Sequence, residues 1–447
     1  MLTVVHASDL HLGLDPYGRE ERYLDYFRGL EAVVDAALAR RADLVLLSGD
    51  LFDQKNVRPR TLAHTTRILK RLRSAGIPVF AIHGNHDRFI QEDRVTWLAY
   101  LSKEGLLHHL EPARDAGTGQ LRFAPWDEAE RAGTLYEGDR YRVIGLGYPG
   151  GGIARDLEDA AAEMGRLAAA GTDASKPTFV LLHAGLDGGL GPIDGGVTAT
   201  DLERLRPHVR YLGLGHLHRR VERDGWVFGP GCLEATSIDE HAQDRGFFVA
   251  TVPLEGGAPI AVRRVPFAGR PVVRRRLDLE AETPLEEVGP RLEALLDEAT
   301  ELERARFKGS IFEVAVSGRV AFDRLDLDVA RLRRILLQKT GALVAVVTLD
   351  LVEEALVLEA GLGRDALERR VFERLVRAGD YRRCEAEVVD LALRLIPRLE
   401  QGAPPEELAA AVSGLREMLE ARGALPQGRG GRLQRRSVSS PQGQRES

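Results

Sequence analysis

Five times within the first 220 residues an apolar run stops abruptly at carboxylate, amide or imidazole side chains. "LTVVHA" gives way to Asp9 and His11 in "SDLHLG", and "ADLVLL" to Asp50 and Asp53 in "GDLFD". "IPVFAI" ends at Asn85, His86 and Asp87 in "GNHD", "TFVLL" at His183, and "VRYLGLG" at His216 and His218 in "GHLH". Each run has the length and continuous apolarity of a strand buried on both faces. Helical patterns such as "YFRGLEAVVDAALARR" and "TLAHTTRILKRLRSAG" lie between several of them, with apolar residues near i, i+3 and i+4. Strands alternating with helices predict an α/β sandwich with buried sheets. Ligands in such folds gather outside the carboxyl ends of strands, so polar ends spread along the chain are expected to converge.

Carboxylate oxygens, one amide oxygen and imidazole nitrogens, with no thiolate, suit Mn²⁺, Fe²⁺ or Zn²⁺. The two cysteines, Cys232 and Cys384, are far apart and in no zinc-ligand spacing, which fits a reducing cytoplasm. With one bridging carboxylate, seven such ligands can hold two ions roughly 3.5–4 Å apart, the arrangement that activates water for attack at phosphorus. A neutral asparagine among them fills coordination without cancelling the charge that attracts a phosphate. Taken singly, each motif has a plainer explanation. An Asp after a strand is usually a turn or cap residue, and a lone His usually a satisfied core or surface group. Five strand ends of one ligand chemistry argue for a dinuclear site. His6, His64, His83, His108, His109, His208 and His241 have no partner motif and read as structural or surface residues.

A formal net charge of -6 excludes a generally basic nucleic-acid coat but not an enzyme whose phosphate site is charged by metal. The opening residues lack a basic region followed by a long apolar one, and no membrane-spanning run is expected. Organisation changes along the chain. Residues 1–265 hold the motifs, 266–358 read as a small α+β domain, 363–425 as helical with apolar stripes, and 426–447 as a disordered basic tail. The stripes include Leu367, Val371, Phe372, Leu375 and Val376, then Leu408, Val412, Leu415 and Leu419.

In order and spacing, "DLHLG", "GDLFD", "GNHD", the strand-end His and "GHLH" resemble the calcineurin-like metallophosphoesterases. "HASDLHLG", "GNHDRF", "GPGCLEATSIDE" and "RGFFVATV" are similar, within that superfamily, to the SbcD nucleases and their archaeal and eukaryotic double-strand-break-repair relatives. The resemblance implies a four-layer sandwich of two β-sheets flanked by helices, a DNA-capping α+β domain and a C-terminal helical segment. It implies two divalent ions, most simply Mn²⁺. Asp9, His11, Asp50 and His218 would hold one; Asp50, Asn85, His183 and His216 would hold the other. His86 would stabilise the transition state or protonate the leaving 3′ oxygen, with Asp87 orienting it and Gly84 supplying the tight turn. Asp53 stands where archaeal and eukaryotic relatives have a His; it reads equally as an acid behind the ligands or as a helix N-cap. Implied partners are DNA, as duplex ends or single strands, an SbcC-type ABC ATPase at the C-terminal helices, and a second copy in a homodimer through "TLAHTTRILKRLRSAG" and "DRVTWLAYLSKEG". A small-molecule phosphodiesterase or phosphatase and a non-catalytic metal-site scaffold are the alternatives.

Overall fold

The computed structural model describes residues 1–88, 95–171, 175–186, 196–254, 257–353, 364–378, 384–400 and 403–421. Close packing divides the chain into two compact units. One comprises Met1–Arg275, Leu296–Val314 and Arg333–Val347, the other Arg276–Leu295, Ala315–Leu332 and the residues from Thr348 onward.

The first sheet contains β1 (Leu2–Ala7), β2 (Leu44–Ser48), β3 (Val79–Ile82) and β4 (His108–His109). The second contains β5 (Leu135–Glu137), β6 (Arg142–Gly147), β7 (Thr178–His183), β8 (Tyr211–Gly215), β9 (Val221–Arg223) and β10 (Val227–Gly229). Two later strands, β11 (Gly246–Val252) and β12 (Ala261–Pro266), complete the first sheet, whose order is β12-β11-β1-β2-β3-β4. The order in the second is β9-β10-β8-β7-β6-β5. Within β1 to β4, and within β6, β7, β8 and β10, neighbouring strands are parallel. Their carboxyl ends therefore finish along one edge of each sheet.

Alternation along each strand builds three core layers. Leu2, Val4, Leu44, Leu46 and Phe80 meet Val143, Phe179, Leu181, Tyr211 and Phe228 between the two sheets. On the outer face of the first sheet, Val5, Ala7, Val45 and Leu47 pack against α1 (Glu20–Arg40) and α2 (Pro59–Ser74) through Phe27, Leu30, Val34, Ile68 and Leu72. Ile144, Val180 and Leu182 pack outward against α3 (Ile153–Ala169) through Leu157, Ala160 and Met164. Both faces of both sheets are covered, which explains why the strands read as continuous apolar runs. The expected four-layer sandwich is the observed one.

Beyond it, Val272–Leu279, Ile311–Val320 and Val344–Glu353 form a three-stranded sheet, and Val288–Asp297, Glu301–Phe307 and Val329–Thr340 are helices. Three further helices follow at Arg364–Ala378, Glu385–Glu400 and Pro405–Ala421. Arg369–Asp390 and Arg398–Glu407 ion pairs, each 2.8 Å, link successive members of this trio. The segment 426–447 lies outside the described residues. No described helix is long and apolar enough to cross a membrane.

Candidate metal centre

The strand ends of the two sheets meet, and the backbone there is unusual. Asp9, His11, Asp50 and His216 all adopt positive φ, between 44° and 87°. Non-glycine residues reach that region at a cost and persist there when surrounding structure holds them. Glycines permit the close approach. A Cβ on Gly84 would lie 2.0 Å from Asp50 Oδ1, and one on Gly215 would lie 2.0 Å from the Ser48 carbonyl oxygen. Gly84 itself is not in the left-handed region, so crowding against Asp50, rather than the expected tight turn, is what demands glycine there.

Donor atoms gather in two adjoining groups. In one, His11 Nε2 lies 3.0 Å from His218 Nε2 and 3.8 Å from Asp50 Oδ2, with Asp9 beside them. In the other, Asn85 Oδ1 lies 3.1 Å from His183 Nε2 and 3.0 Å from His216 Nδ1, and His183 Nε2 is 3.2 Å from Asp50 Oδ2. Asp50 belongs to both. Asp9, His11, Asp50 and His183 are almost fully buried, at 0–2% exposure. Two imidazole nitrogens that meet at 3.0 Å beside buried carboxylates are also a natural ligand set for a cation. The donor set suits divalent cations: Asp9, His11 and His218 lie together, Asp9, Asp50 and His183 lie together, and Asn85 and His216 stand beside His183.

Contacts behind these ligands fix their orientation. The Ser48 carbonyl accepts from His183 Nδ1 at 2.8 Å, so in the neutral ring Nε2, which faces Asp50 and Asn85, is the lone-pair nitrogen. His218 Nδ1 meets Glu240 Oε1 at 2.6 Å. His11 Nδ1 has no hydrogen-bond partner among the described residues but faces Asp53 Oδ1 at 3.4 Å. Burial pushes the Asp50 carboxyl up, yet the His183 and His11 rings and the His86 N–H, which donates to Oδ1 at 2.9 Å, together hold it well below the carboxylate range. Burial disfavours charge on His183, and Asp50 outweighs it, raising that ring to about 9 in the absence of metal.

His86 sits at the mouth of the site with its side chain 40% exposed and its ring 4.8 Å from that of His11. Its Nδ1 donates to the Asp53 carbonyl at 2.7 Å, so in the neutral ring Nε2 is the free acceptor. Asp87 does not perform the orienting role expected of it. Its carboxylate accepts from the backbone N–H groups of Leu51, Phe52 and Gly84 at 2.8, 2.7 and 3.4 Å, tying two motif loops together. Burial and the neighbouring Asp50 charge push this acid up to about 7, against the pull of those three N–H groups. Asp53 is not a helix cap, since α2 starts at Pro59 with Arg58 at its N-cap. Glu240 and the Ser48 carbonyl escaped the sequence reading. The acid in "GPGCLEATSIDE" was visible only as part of a family resemblance, and no spacing rule points a backbone carbonyl at a ring 135 residues away.

Comparison with known proteins agrees with this geometry. The calcineurin-like phosphoesterase family matches residues 2–220, which include every candidate ligand named above. The DNA double-strand break repair protein Mre11 of Aeropyrum pernix is 32% identical over 293 residues, covering 62% of this chain and 64% of that protein. Mre11 of Thermoplasma acidophilum is 23% identical over 302 residues, 65% of this chain and 72% of the relative. An uncharacterized metallophosphoesterase of Bacillus subtilis, YhaO, is 29% identical over 264 residues, 56% of this chain and 57% of its own. The chain therefore spans a little under two thirds of the Aeropyrum relative. With the sandwich, the clustered donor groups and the matched residues together, residues 2–220 of this chain form a calcineurin-like metallophosphoesterase domain.

Proposed function

We propose that this chain is a metal-dependent phosphodiesterase that cleaves DNA, in the manner of the SbcD and Mre11 nucleases, as a subunit of a break-repair complex. The observation that carries the reading is the pair of donor groups sharing Asp50, with the exposed imidazole of His86 standing beside them. Bound divalent ions, Mn²⁺ in this reading, supply positive charge that acidifies water and draws in a phosphodiester. Asn85 contributes an uncharged oxygen. His86, held through Nδ1 by the Asp53 carbonyl, acts in its protonated form, in which Nε2–H donates to the scissile phosphate or gives its proton to the leaving 3′ oxygen. Asp87 keeps the "GNHD" and "GDLFD" loops in register.

The remaining features extend the proposal. Residues 266–358 serve as the DNA-capping domain that presents duplex ends, and both exonuclease and endonuclease action belong to the reading. The helices at 364–421 expose Val371, Leu375 and Val412, apolar surface suited to an SbcC-type ATPase. In the homodimer segments, Ile68, Leu69, Leu72, Leu98 and Leu101 are buried in their own core, leaving Val95 and Tyr100 as the exposed apolar contacts; 93–94 lie outside the described residues. A cytoplasmic location completes the reading.

The test is Mn²⁺-dependent degradation of end-labelled duplex and single-stranded DNA by the purified chain, beside His86→Ala and an EDTA blank. His86→Ala should retain metal and lose roughly 10²–10⁴-fold in rate. Hydrolysis of a small phosphodiester without any DNA cleavage, even with the ATPase partner added, sinks the nuclease reading in favour of a small-molecule phosphodiesterase. Metal uptake with no turnover on either substrate leaves the scaffold reading.

A further inference from the structure

The short 3₁₀ helix at Ile238–Ala242 sends three consecutive side chains to three different partners. With three residues per turn, successive side chains point about 120° apart. The Glu240 N–H closes the turn on the Ser237 carbonyl at 3.3 Å. Ile238 packs on Val272, Ile311 and Val344, one residue from each strand of the three-stranded sheet. Asp239 faces Arg274 of the same sheet at 3.4 Å. Glu240 reaches the metal centre, where its Oε1 meets His218 Nδ1 at 2.6 Å. Thr236 donates to that carboxylate from its backbone N at 2.8 Å and from Oγ1 at 2.9 Å.

The approach to the turn is held as well. Buried Arg22 donates to Glu234 at 2.6 Å and to the Ala235 carbonyl at 2.8 Å. Arg270 donates to Asp25 at 2.6 and 3.0 Å and to the Gly309 carbonyl at 2.5 Å, just before the strand that starts at Ile311. All these residues lie in the compact unit that contains Met1–Arg275. Of the two contacts between turn and sheet, that of Ile238 is the stronger. The Asp239 side chain is 82% exposed, and a solvated ion pair contributes little, whereas Ile238 removes branched apolar surface from water.

We propose that Ile238 seats this turn on the sheet and so holds Glu240 against His218, making the seating of the sheet and the affinity of the centre for a divalent cation depend on each other. Ile238 is a positioning residue acting through Glu240, and the proposal rests on the metal-dependent reading above. Such coupling is reciprocal. A cation held by His218 steadies the sheet, and a partner that shifts the sheet changes the affinity without touching a ligand.

The experiment is a Mn²⁺ titration of the metal-stripped full chain, with free ion counted by electron paramagnetic resonance. Glu240→Gln should weaken uptake about 10–100-fold. Ile238→Ala should weaken it about 5-fold or more, and Ile238→Val should restore it. Ser237→Ala, at an exposed neighbour with no side-chain cap bond, should bind as the wild type does. In a double-mutant cycle Ile238→Ala should add nothing to Glu240→Gln, because the first acts through the second. Hydrogen exchange over Ile311–Val314, read by mass spectrometry, should slow when Mn²⁺ is added to the wild type and slow less in Glu240→Gln. That arm decides the matter should Ile238→Ala fail to fold by circular dichroism. Wild-type affinity in folded Ile238→Ala, losses that add across the cycle, or exchange indifferent to Mn²⁺ overturns the coupling and leaves the metal reading standing. No Mn²⁺ uptake by the wild type overturns both.

Discussion

Adjacent residues in the loop after β3 have separate tasks: Asn85 faces the ligand cluster, His86 faces solvent, and Asp87 is buried beneath. Gly84 makes this possible by leaving room for Asp50. Gly84→Ala should therefore displace Asp50 and abolish Mn²⁺ uptake, whereas Gly152→Ala, with nothing within 4 Å of the added carbon, should leave uptake unchanged; a binding titration distinguishes them. Asp87→Asn sets an N–H donor against the Phe52 N–H if Oδ1 is replaced, or against the Leu51 and Gly84 N–H groups if Oδ2 is. It should cost about 1–3 kcal/mol in denaturant unfolding of the metal-free protein. At this scale the ligand residues were legible from their chemistry at strand ends. The partner of His86 was not, because a backbone carbonyl has no sequence signature.

The elements of the sandwich are tied by polar groups as well as apolar ones. His6 of β1, buried between the sheets, bonds the Tyr211 hydroxyl of β8 at 2.9 Å and Ser48 Oγ of β2 at 2.7 Å. Burial holds its ring down from 6.5 to about 3. Between those values the unfolded chain binds a proton that the folded one does not, so this contribution to stability is lost as pH falls below 6.5. The slope is about 1.4 kcal/mol per pH unit for the one ring. Urea unfolding from neutral pH to about pH 5 should show a slope shallower by that amount in His6→Gln. In α3, Gly165 has open space around it and ordinary helical φ, so Gly165→Ala should stabilise by about 0.5–1 kcal/mol in the same assay. Strands and helices were legible because their periods are local. The division of "DRVTWLAYLSKEG" was less so: its helix is only Trp97–Lys103, started by the Thr96 side chain, which accepts from the Ala99 N–H.

At the scale of the molecule, every candidate ligand, the exposed His86 and the acids Asp53 and Glu240 lie within the unit that contains Met1–Arg275. A chain ending after Glu353 should accordingly keep its turnover of a small phosphodiester, as a colorimetric assay would show. Loss of DNA cleavage in that truncation would place the C-terminal helices in substrate handling. The sequence by itself determined the chemistry: oxygen and nitrogen donors without thiolate, at the ends of doubly buried strands, in the order of a known phosphoesterase family. It determined those features because residue identity and hydrophobic period are written along the chain. Only the tertiary structure decided which donors stand together. His11 and His218 are 207 residues apart and meet at 3.0 Å because parallel strands in two stacked sheets end at one edge. The same packing assigned Glu240 to His218 and moved Asp87 from orienting His86 to bracing the loops. Such roles depend on distances across the fold, and no local pattern encodes them.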